Sequence, residues 1–78
     1  MTLYPNPTSD EFYLRIHNAW PEEIYLKVRD IHGRQIYEGK YNANEHLMIT
    51  TAGWWPGIYL VEVVNTKGDN FVRRLLKL

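Results

Sequence analysis

Cysteine is absent from this 78-residue chain, so neither disulfides nor a thiolate-bound metal can hold the fold together. The same absence identifies no compartment, being compatible with an oxidising periplasm and with cytoplasm alike. Charge of one sign is missing as well: nine basic residues balance nine acidic ones, for a formal net charge of +0. A nucleic-acid module normally carries a basic stripe, and a membrane-surface module a polybasic segment, so neither partner is expected. No apolar run approaches the ~20 residues a spanning helix needs, which excludes helical membrane insertion by these residues. Alanine occurs only at Ala19, Ala43 and Ala52, poor material for helices. Nucleophile motifs and glycine-rich phosphate loops are missing, and His17, His32 and His46 lack metal-ligand spacing. The carboxylates flank turns or alternate outward, the ordinary solvated placement. An enzyme, a metal site and a cofactor are therefore not expected.

What is present is aromatic and alternating. Three Trp, six Tyr and two Phe must supply much of the burial in a domain small enough to hide only about 60% of its unfolded surface. Period-2 patterns dominate. Phe12, Leu14 and Ile16 alternate with Tyr13, Arg15 and His17; Ile24, Leu26 and Val28 with Tyr25, Lys27 and Arg29; Leu47 and Ile49 with His46, Met48 and Thr50. Ile36 among Gln35, Tyr37 and Glu38 suggests the same. Each set implies one buried and one wet face, as in antiparallel sheets.

The turns are more sharply specified. Asp30-Ile31-His32-Gly33 and Asn65-Thr66-Lys67-Gly68 share a pattern in which an Asx side chain opens a type I turn and a glycine takes the left-handed position that starts the return strand. Strand 23–30 is thus expected to pair with 34–40, and strand 57–65 with 70–78. Pro56-Gly57 suits the centre of a type II turn. Six or seven such strands indicate an all-β fold, a small antiparallel sandwich, with a small barrel as the runner-up. A sandwich of this length leaves little room for a buried pocket of the usual ~300 Å³ or more.

The order of motifs carries a resemblance. Leu3-Tyr4-Pro5-Asn6-Pro7-Thr8 precedes Phe12-Tyr13-Leu14; then come Val28-Arg29-Asp30-Ile31-His32-Gly33-Arg34, Gly57-Ile58-Tyr59-Leu60-Val61-Glu62-Val63, and a basic, apolar last strand ending Leu75-Leu76-Lys77-Leu78. This resembles the C-terminal sorting domain of cargo proteins of the type IX (Por) secretion system of Bacteroidetes, type A. The resemblance implies an Ig-like β-sandwich of about seven strands, appended to a cargo that enters the periplasm through an ordinary signal peptide. It further implies recognition by the outer-membrane translocon, removal by a sortase-like peptidase, and delivery of the cargo to the cell surface or medium. Residues 1–78 are accordingly expected to be a single domain excised from a larger secreted precursor. The family pattern maps onto Pro5, Asn6 and Pro7 at the entry, Asp30, Gly33 and Arg34 at the first hairpin, Gly57, Tyr59, Val61 and Val63 on the penultimate strand, and the terminal strand through Lys77. Trp54-Trp55-Pro56 stand where members often carry Leu before the glycine, so Trp54 is expected to fill the buried place and Trp55 to be partly exposed.

Translocon recognition is assigned to Pro5, Asn6, Pro7, Arg73, Arg74, Leu76, Lys77 and Leu78. A structural role is assigned to Asp30, Gly33, Arg34, Trp54, Gly57, Tyr59, Val61, Val63 and Gly68. The competing reading for the entry residues is that Pro-Asn-Pro merely opens the first strand and protects its edge; Asn6-Pro7-Thr8 is no glycosylation acceptor, because proline holds the middle place. The faces of the last strand are mixed: Val72, Arg74, Leu76 and Leu78 on one, Phe71, Arg73, Leu75 and Lys77 on the other. An exposed strand edge would also permit a homodimer. Two other functions compete. Trp20, Trp54 and Trp55 with Tyr13, Tyr25, Tyr37 and Tyr41 would serve a carbohydrate-binding or adhesion module if the rings were exposed and coplanar, and an Ig-like spacer of a surface protein would share the fold.

Overall fold

The computed structural model describes residues 2–16, 23–42 and 46–78; His17, Trp20 and Pro21 lie outside them. Seven strands are found among the described residues: β1 (Thr2–Tyr4), β2 (Glu11–Arg15), β3 (Glu23–Asp30), β4 (Gln35–Asn42), β5 (Leu47–Thr50), β6 (Gly57–Asn65) and β7 (Asn70–Lys77). They form two antiparallel sheets, ordered β1-β2-β5 and β4-β3-β6-β7. The molecule is an all-β sandwich. Its fourth strand lies beside the third instead of joining the sheet of β1, β2 and β5, unlike the constant-type immunoglobulin arrangement.

That placement follows from the β3–β4 turn. The Asp30 carboxylate accepts from the His32 and Arg34 amides, both at 2.9 Å, while the Gly33 amide donates back to the Asp30 carbonyl at 3.0 Å. Gly33 has φ 85°, the left-handed region that a Cβ disfavours. The β6–β7 turn repeats the construction: the Asn65 side-chain oxygen accepts from the Lys67 and Asp69 amides at 3.0 Å each, and Gly68 has φ 89°. Both hairpins form where the sequence pattern places them, with return strands at 35–42 and 70–77.

The core lies between the sheets. Phe12, Leu14, Leu47 and Ile49 come from one sheet, and Ile24, Leu26, Val28, Tyr59, Val61, Val63 and Leu75 from the other. The registers Val28↔Val61 and Leu26↔Val63 stack the inward residues of β3 and β6 into one apolar face. Burial of these side chains, at about 1.5–3 kcal/mol each, is the main favourable term in a chain without cross-links.

Three expectations are corrected. Ile36 points outward and is exposed, whereas Tyr37 and Tyr41 pack against the core. The register Val28↔Tyr37, Leu26↔Gly39, Ile24↔Tyr41 decides this: alternation puts the two tyrosines on the inner face, and their hydroxyls hydrogen-bond to each other. They close over Gly39, where a Cβ would stand 3.0 Å from the Tyr41 ring. Tyr13 and Tyr25 are likewise half-buried. Second, Gly57 enters β6 with φ 149°, a positive value that favours glycine but stands far from the roughly +80° that the third residue of a type II turn needs, so Pro56-Gly57 is a bend and not a type II turn. The hydrogen-bonded turn lies just before it: the Trp54 amide donates to the Thr51 carbonyl at 3.0 Å, with Gly53 at φ 84°. Third, Pro5-Asn6-Pro7 does not open the first strand; it follows β1 and crosses to the other sheet.

Candidate recognition surface

Leu75 is the one β7 side chain that reaches the core, at 0% exposure. The parity of β7 follows: residues 72, 74, 76 and 78 face away from the sandwich. Phe71 and Arg73 share the inner parity with Leu75 yet remain exposed. On the outer face, β7 aligns with β6 in the register Ile58↔Leu76 and Leu60↔Arg74. Ile58, Leu60, Val72, Leu76 (39%) and Leu78 (63%) are all exposed, so an apolar strip runs along the end of the sheet with Arg74 set into it. Among the described residues the ion pairs are Arg29–Glu62 at 3.2 Å and Arg34–Asp30 at 2.8 Å. Arg73 and Arg74 therefore pair with no described carboxylate, whereas the Lys77 ammonium is held by the Ser9 carbonyl and the Leu78 main-chain oxygen (3.2 Å).

The entry residues meet this strand. Thr8 and Lys77 form a parallel bridge, in which the Thr8 amide donates to the Leu76 carbonyl and the Leu78 amide to the Thr8 carbonyl, each at 2.8 Å. Asn6 supplies two more bonds through its side chain: Nδ2 donates to the Arg74 carbonyl at 2.7 Å, and Oδ1 accepts from the Leu76 amide at 3.0 Å. The Lys77 ammonium donates to the Ser9 carbonyl. Thr8 is fully buried, and its hydroxyl donates to the Glu11 carbonyl. Pro5 and Pro7 flank Asn6 without amide donors of their own, and both are exposed. The structure thus brings Asn6, Arg74, Leu76, Lys77 and Leu78 together with the two prolines. Arg73 stands apart on the opposite face of β7, its guanidinium donating to the Val72 carbonyl at 3.0 Å.

The other singled-out residues serve the frame. Tyr59, Val61 and Val63 face the core, and the Tyr59 hydroxyl reaches the Trp55 carbonyl at 2.6 Å. Burial raises the Tyr59 hydroxyl above its ordinary pKa, and the nearby Asp30 charge adds to the rise. Burial alone would raise the Asp30 carboxyl too, but the Arg34 amide and guanidinium and the His32 amide outweigh it and hold Asp30 below its ordinary value. Trp54 packs between Phe12 (ring centroids 6.3 Å) and Tyr59 (5.1 Å), while Trp55 is 83% exposed. The two indoles therefore do not form a shared flat platform, and the aromatic arrangement a sugar-binding face would need is not built from them. Sequence reasoning missed an aromatic cluster on the outer face of β1-β2-β5, where Tyr4, Tyr13 and His46 lie at centroid separations of 5.5–5.7 Å. Alternation placed Tyr13 outward, but only the register Tyr4↔Tyr13 brings the rings together.

The family model for the secretion system C-terminal sorting domain matches residues 2–77. The chain belongs to this family. It is a sorting signal of the type IX kind, in a family of signals and not of enzymes. No curated protein and no solved structure shows a significant match. No helix among the described residues is long and apolar enough to cross a membrane.

Proposed function

We propose that the sorting domain is read through β7. The outer-membrane translocon docks on the outer strip of Ile58, Leu60, Val72, Leu76 and Leu78, and its carboxylates pair with Arg74. The residues form the last domain of a larger precursor whose N-terminally fused cargo is carried to the cell surface or medium, after which a sortase-like peptidase removes the domain. The observation that carries this reading is the apolar strip on the outer face of the edge strand, with Arg74 set into it and paired with no described carboxylate. Apolar surface beside uncompensated charge is what a polar–apolar interface buries.

The test fuses residues 1–78 to a fluorescent protein bearing a signal peptide, in a Bacteroidetes host with and without a working type IX translocon. Surface fluorescence should require the translocon, and Leu76→Asp with Leu78→Asp should abolish it while the domain stays folded. Equal delivery in both strains refutes the sorting role, and full delivery of the double variant refutes the docking face.

A further inference from the structure

The entry motif contains a chemical substitution. A strand laid against the β7 edge would ordinarily present a backbone N–H and C=O at each bonding position. The parallel register puts residue 6, like residue 8, at a bonding position, between two prolines that have no N–H. The Asn6 carboxamide, one donor and one acceptor in a single plane, takes that place: it gives Nδ2–H to the Arg74 carbonyl at 2.7 Å and receives the Leu76 amide at 3.0 Å. Thr8 then continues the ladder with its own main chain at Leu76 and Leu78. Four bonds thus fix Arg74–Leu78 from residues 68–70 positions away in sequence, the Asn6 separations being 68 and 70.

We propose that Asn6 is a positioning residue of the sorting signal: its side chain acts as a surrogate peptide group that latches the entry segment to the terminal strand, so that the surface presented for recognition is built from both ends of the domain. This rests on the reading of β7 as the recognised strand, but the latch itself does not. The latch predicts that residue 6 must supply a donor and an acceptor together. Alanine supplies neither. An ionised aspartate supplies only acceptors and sets its charge against the Arg74 carbonyl, yet once protonated it regains a donor beside its carbonyl.

Amide hydrogen exchange on the 78-residue chain, with export of the fluorescent fusion measured in parallel, tests both parts. In Asn6→Asp and Asn6→Ala, protection of the Leu76 amide should fall about fivefold or more at neutral pH, the scale of one lost hydrogen bond. Core amides of β3 and β6 should keep theirs. As pH falls through the ordinary aspartate range near about 4, protection at Leu76 should return toward the wild-type value at the same pH in Asn6→Asp and stay low in Asn6→Ala. A residue that merely fills space would give no such pH-dependent rescue. Export of both variants should drop severalfold. Unchanged Leu76 protection in both variants overturns the latch. Lost protection with full export overturns its role in recognition. Translocon-independent delivery of the unaltered fusion would defeat the sorting reading instead, leaving the exchange result to decide the latch alone.

Discussion

Replacing Leu75 by alanine separates the two faces of β7. The Leu75 side chain is wholly buried, in register with Tyr59, so truncation removes core contacts and leaves a cavity. Buried Leu→Ala changes cost about 2–5 kcal/mol. Leu75 lies on an edge strand that can settle inward, which favours the low end, about 2–3 kcal/mol. At about 0.05–0.15 kcal/mol per residue, a domain of this length has roughly 4–12 kcal/mol in total, so the loss is a large share. With about 4–8 °C of Tm per kcal/mol in domains of this size, the midpoint should fall by roughly 8–24 °C. Leu76→Ala removes a side chain that is 39% exposed and should cost about 1 kcal/mol or less. Urea titrations of the two variants, with m unchanged and only the midpoint displaced, give the comparison. Export should show the reverse order at a temperature where both variants are folded, with Leu76→Ala the more impaired. Equal stabilities, or a greater loss for Leu76, would refute the assignment of faces and with it the docking strip.

Other outcomes follow from the frame. Because the folded-state pKa of Asp30 lies below its ordinary 3.8, its carboxylate contributes stability above that value, and the contribution is lost as pH falls through the folded pKa. Asp30→Asn should therefore lower Tm at neutral pH and flatten the decline below about pH 4, checked by thermal melts at pH 7 and in the acid range. Gly68→Ala meets no atom within 4 Å, so its cost should be the backbone term alone, about 1–2 kcal/mol, read as a midpoint shift in denaturant. Trp54→Ala should destabilise by about 2 kcal/mol or more through lost contact with Phe12 and Tyr59. Trp55→Ala should stay within about 0.5 kcal/mol, and its fluorescence change on unfolding should be the smaller of the two.

The strands and hairpins were legible because their signals are local. An Asx residue three places before a glycine satisfies its own turn, and the two turns close with nearly the same hydrogen bonds. Alternation placed the β2, β3 and β5 cores because each has one plainly apolar face. It misled at β4, where Ile36 looked like the inward residue. Tyrosine is apolar over most of its ring, and two tyrosines bonded through their hydroxyls cover an edge better than one isoleucine. On β7 the pattern gave two mixed faces; the choice depends on pairing with β6 and on how far the opposite sheet reaches, neither of which is encoded within eight residues. The meeting of Asn6 with Arg74 and Leu76 spans nearly the whole chain, beyond any local rule. Its one sequence signal was a carboxamide held between two residues that cannot donate.

The Thr8–Lys77 bridge is parallel, and this has a mechanical consequence. A pull between Pro5 and Leu78 acts along the two segments and not across them. The bonds of Asn6 and Thr8 to residues 74–78 then carry the load together, in shear, instead of peeling one after another as at the open end of a hairpin. Tension from a cargo fused ahead of Thr2 would reach this seam through β1 and its pairing with β2, and β7 would keep its register on β6 until the seam gave way.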